Sequence, residues 1–63
     1  MKHNKITLAH GETYKNNTTE PLFYVVEWLS ALGLYQVKTE QLKPSQSITK
    51  TNPSNKITIY EAL

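Results

Sequence analysis

The side chains able to move protons or hold metals are few: two histidines and five acids, every acid a glutamate, with no cysteine. His10 and Glu12 stand two residues apart, but no nucleophile accompanies them, so they cannot be read as parts of a triad. Paired carboxylates can act as acid and base on a glycosidic bond. Here Glu12, Glu20, Glu27, Glu40 and Glu61 are scattered singly, the pattern of ordinary surface glutamates. The two glycines, Gly11 and Gly33, are isolated, so no phosphate-cradling loop is present. The missing cysteines exclude disulfides and thiolate zinc sites.

Met1-Lys2-His3 has the spacing of a square-planar copper or nickel site, with an amine, two amides and a third-position imidazole. Any chain with histidine third shows the same pattern, and residues 1–4 read as a flexible tail. No catalytic residue, metal or cofactor is therefore expected, and the chain reads as a binding protein rather than an enzyme.

All seven cations are lysine, and the net charge is +2. Arginine, the usual bidentate reader of guanine and phosphate, is absent. Two overlapping glycosylation patterns, at Asn16 and Asn17, carry meaning only in a secreted chain. The N-terminal segment is polar and has no apolar run, so no signal peptide is expected. A cytoplasmic location follows as an expectation, in a bacterial host if the chain is viral.

Chemistry so sparse shifts attention to the elements that would present a surface. The chain has 63 residues, 38% hydrophobic and 19% charged, which suits one small globular domain and not a disordered segment. Such a domain buries only about 60% of its unfolded surface, so its own core is marginal. Ile6 and Leu8 alternate with polar or small residues over 5–9, which predicts a half-buried strand. His10-Gly11 supplies a turn, and 12–15 returns as a short strand. Alternation at Tyr35 and Val37 predicts a strand over 34–40. Residues 47–51 and 56–60 read as a hairpin about Asn52-Pro53-Ser54-Asn55. The segment around Ile6 echoes the one around Ile57 and Ile59. Both should turn isoleucine inward and lysine and threonine outward.

The central segment reads as a helix over 20–32. Thr18 or Thr19 offers a cap, Pro21 suits a first turn, and Gly33 fits the position just past the end. Leu22, Val25, Val26, Leu29 and Leu32 recur at helical spacing. The expected fold is α+β, one helix on a mostly antiparallel sheet of three to four strands, in the order β-α-β-β-β. That helix is apolar nearly all round, which marks burial on both sides. Phe23, Tyr24, Glu27, Trp28 and Ala31 are then the candidate partner-binding residues. The competing reading folds loops over Trp28. A membrane span needs about 20 apolar residues, and Glu27 interrupts this shorter run.

The functional expectation is a small protein-binding module, an inhibitor or adaptor of a host macromolecule such as bacteriophages encode. Its partner would be another protein or a second copy. Two alternatives remain. One is a structural homo-oligomer. The other is a small nucleic-acid-binding protein using the sheet face with Lys5, Lys38, Lys56 and Tyr60. A solvated lysine and threonine face is what any open sheet displays, and this places nucleic acid second.

Overall fold

The computed structural model describes residues 3–62, and every regular element among them is a strand. In chain order these are β1 (His3–Thr7), β2 (Thr13–Lys15), β3 (Leu22–Leu29), β4 (Tyr35–Leu42), β5 (Ser47–Thr49) and β6 (Asn55–Ala62). The expected helix, and with it the α+β architecture, is corrected: residues 22–29 form β3. Phe23, Tyr24, Val25, Val26 and Trp28 are β-branched or aromatic, the types that fit a pleated surface best. Pro21 and the turn at 31–33 bound the run. A short segment apolar at all but one position, Glu27, fits helix and strand periods alike, and here composition and flanking turns decide for strand.

Four strands form one antiparallel sheet in the order β1-β6-β3-β4. The other two, β2 and β5, form a separate antiparallel ribbon. The expected β5–β6 hairpin is thus also corrected. Its turn exists, with Asn52 Oδ1 accepting from Ser54 N–H at 2.8 Å. The strand before the turn pairs with β2 instead, and the strand after it with β1 and β3.

Alternation divides the sheet into two faces. One face carries Ile6, Leu8, Ile57 and Ile59, as their spacing predicts. Leu8, Ile57 and Ile59 are buried, with Ile6, Tyr24 and Val26 packed against them. The ribbon covers this face: its register pair Tyr14 and Ile48 packs on the same cluster. The Tyr14 hydroxyl donates to the Glu61 carboxylate, fastening the ribbon to the end of β6. Burial first, then that hydrogen bond and the negative charge, push the Tyr14 phenol up to about 12.

Asn16 ties the remaining loops. It is fully buried; Nδ2 donates to the Glu20 and Leu42 carbonyls at 2.9 Å each, and Oδ1 accepts from Thr18 N–H and Thr18 Oγ1. Such burial leaves the Asn16 glycosylation pattern without an accessible acceptor.

The β3–β4 hairpin turns through residues 31–33. Gly33 N–H donates to the Ser30 carbonyl at 2.9 Å, and Gly33 has φ +79°. This is a type I turn followed by a left-handed residue, a common three-residue hairpin loop. Gly33 does hold the expected left-handed conformation, in a hairpin rather than at a helix end. No helix among the described residues is long and apolar enough to cross a membrane.

Candidate functional site

The second face of the four-stranded sheet carries no strand of the ribbon, and its side chains follow from register. Lys5, Tyr60, Phe23 and Gln41 form one row from β1 to β4. Thr7, Thr58, Val25 and Thr39 form the next. Lys56, Glu27 and Val37 follow on β6, β3 and β4, and Leu29 opposite Tyr35 completes the hairpin end. Directly opposed residues in an antiparallel sheet project to the same side, so these rows make one surface.

Large apolar side chains stand open on that surface among polar ones. Phe23 is 52% exposed, Val37 57%, Tyr35 60% and Leu29 67%. Tyr60 stands beside Phe23, and the Lys5 ammonium lies 5.9 Å from the centre of its ring, within cation–π range. Leu32 and Leu34 extend the exposed apolar surface into the turn. Thr58, at the middle of the face, is buried between its larger neighbours.

The expected site residues are redistributed by the change from helix to strand. Phe23 and Glu27 lie on the open face. Tyr24 and Trp28 lie on the opposite one and are half-buried, Tyr24 against the core cluster. Ala31 is exposed in the hairpin turn. The partner surface built from these five on one helix face is therefore corrected. Strand period 2 separates residues that helix period 3.6 placed together. Of the lysine set, Lys5, Lys56 and Tyr60 do share the open face. Lys38 is turned to the other side, where it pairs with Glu40 at 2.8 Å. The Glu40 carboxylate holds the Lys38 ammonium above its ordinary value. Two separately expected sites thus contribute to one surface. Val25, Leu29, Tyr35 and Val37 are its unforeseen members, and the signal for them was a segment apolar on both sides of a two-residue period.

The groups first considered for chemistry have structural employment. Glu12 Oε1 accepts from Ala9 N–H at 3.0 Å and closes the turn between β1 and β2. Gly11, with φ +84°, donates its N–H to the Lys50 carbonyl. Glu61 receives Tyr14 and Asn4. Among the described residues no group of three or more potential metal ligands comes together, and no pocket opens. The copper-type pattern falls largely outside the described residues, as do Met1 and Lys2 of the expected flexible tail. His3 and Asn4 of that tail stand in β1. Comparison with protein-family models, with curated proteins and with solved structures finds no match to this chain.

Proposed function

We propose that this chain is a non-enzymatic protein-binding module whose docking surface is the open face of the four-stranded sheet. One observation carries the reading. Among the described residues seven large hydrophobic side chains are exposed, whereas five hydrophobic side chains are buried as core. Five of the seven, Phe23, Leu29, Tyr35, Val37 and Tyr60, share one sheet face. Contiguous apolar surface of this kind marks a contact site in small proteins. Aromatic anchors ringed by lysine and threonine match the composition of interface centres and rims. An open sheet face suits a macromolecular partner, whereas a small ligand is normally held in a concavity. An inhibitor or adaptor acting in a cytoplasm fits this reading, since the fold uses no disulfide.

A test is capture of proteins from the native source by the wild type and by Phe23→Thr/Leu29→Thr. Threonine keeps strand preference while removing apolar surface. A protein retained by the wild type and lost by the variant supports the reading; equal retention by both refutes it.

The row Lys5-Tyr60-Phe23 favours a second reading, single-stranded nucleic acid stacked on two aromatics beside a cation. Two lysines and no arginine on that face supply little phosphate neutralisation. Binding of a generic oligonucleotide should be weaker than micromolar at physiological salt and fall steeply as salt rises. Fluorescence anisotropy showing a submicromolar complex under those conditions reverses the order of the two readings.

A further inference from the structure

The four-stranded sheet ends on β4, and no segment among the described residues pairs with that edge. The bond from Ser30 N–H to the Leu34 carbonyl, 2.8 Å, sets the phase of the β3–β4 ladder. Hydrogen-bonded pairs recur at every second residue of an antiparallel pair. Gln36, Lys38 and Glu40 therefore direct their backbone groups to β3. Tyr35, Val37, Thr39 and Gln41 direct theirs to the open edge. The bond from Leu8 N–H to the Ile57 carbonyl fixes the same phase from the far side of the sheet.

Nothing blunts this edge. Its pairing with β3 runs without a skip from Leu22↔Leu42 to Leu29↔Tyr35, so it has no bulge. It contains no proline, and its only charges, Lys38 and Glu40, are joined to each other. Exposed edges usually carry a proline, a bulge or an unpaired charge that prevents strand addition.

We infer that β4 pairs with β4 of a second copy of this chain, antiparallel, about a twofold axis at Thr39. The charge pattern selects that register. Centred on Thr39, the pairing sets Lys38 against Glu40 of the second copy and Glu40 against its Lys38. Those pairs are the non-hydrogen-bonded kind, in which side chains approach most closely. A pairing centred on Lys38 opposes lysine to lysine, and one centred on Glu40 opposes glutamate to glutamate; like charges directly opposed destabilise a sheet. The outward backbone groups of Val37, Thr39 and Gln41 meet their counterparts in about six hydrogen bonds. Interfaces of this isologous type repeat each contact on both sides of the axis. Because opposed residues project to the same side, the open faces of both copies join into one surface. The inference rests on the edge alone and stands or falls apart from the docking reading.

Sedimentation of the full chain from micromolar to millimolar concentration, with amide exchange on the same samples, tests it. The expected result is a concentration-dependent dimer. Lys38→Glu and Glu40→Lys should each weaken it roughly tenfold or more, by replacing two attractions with two repulsions. The double variant K38E/E40K rebuilds both opposed pairs and should recover the wild-type affinity. The wild-type amides of Val37, Thr39 and Gln41 should gain protection in step with dimer formation, a readout that needs no variant to fold. A chain that stays monomeric across the range overturns the inference. So does a dimer indifferent to the charge swaps, or one that leaves these amides unprotected.

Discussion

Asn16 shows how one polar side chain can hold a small fold. Buried amides are costly unless every group is satisfied, and here both ends are. Asn16→Ala leaves the Thr18 N–H without its acceptor and removes the side-chain donor that joins the Glu20 and Leu42 carbonyls. A loss of about 3 kcal/mol is expected in urea unfolding, a large share of the roughly 3–9 kcal/mol a chain this long commands. Tyr14 adds a pH-dependent fastening. Its phenol is raised from 10.0 to about 12 in the folded chain, so the folded state holds the proton more tightly. The corresponding stability is fully present below pH 10 and is lost as pH rises through about 12. Tyr14→Phe should remove that alkaline decline and should cost about 1 kcal/mol at neutral pH, where the hydrogen bond to Glu61 is intact. Unfolding curves across this range for the two proteins check both the size and the sign. At this scale the sequence was partly legible. Glu12 reads as a surface group and is one, closing a turn. The bonds of Asn16 to Thr18 and Glu20 are local, but nothing in the order of residues announced that Asn16 would be buried, because Leu42, Ser45 and Gln46, which also bond it, are distant in the chain.

Among elements, β3 explains where sequence reasoning parts from the structure. Leu22, Val25, Val26 and Leu29 satisfy a helical period only because nearly every residue of the run is apolar. The residues whose pattern was informative, Ile6 and Leu8 with Ile57 and Ile59, alternate against lysine and threonine and took the faces they predict. Val37 alternates too, but with inverted sense, because the open face is apolar and the face toward the core ends in Lys38 and Glu40 at the uncovered edge. Pairing of β2 with β5 depends on contacts between distant segments, which no local pattern encodes. Gly33 illustrates a correct local feature in the wrong element: positive φ was legible, and hairpin and helix ends both use it. An added Cβ at Gly33 meets no atom within 4 Å, so Gly33→Ala should cost only its backbone penalty. That is about 1 kcal/mol, or roughly 4–8 °C in thermal midpoint for a domain of this size. An unchanged midpoint contradicts the assigned turn.

For the whole molecule, the central claim is that β3 divides the chain into a covered core and an open contact surface. Principal extents of 39 × 23 × 16 Å describe a thin body, in which a sheet has a ribbon on one side only. On the proposed reading, a partner docks on the open face and, by the edge argument, a second copy pairs beside it. The most direct test is equilibrium unfolding in urea of two variants that receive the same new residue. Ile59→Thr replaces a side chain with no exposure, and Leu29→Thr one that is 67% exposed. The account predicts a loss of about 2–3 kcal/mol for Ile59→Thr, from lost apolar burial and a buried hydroxyl, and a change within about 0.5 kcal/mol for Leu29→Thr. Comparable losses at the two positions would contradict it, because Leu29 would then belong to a core and the open face would not be a surface.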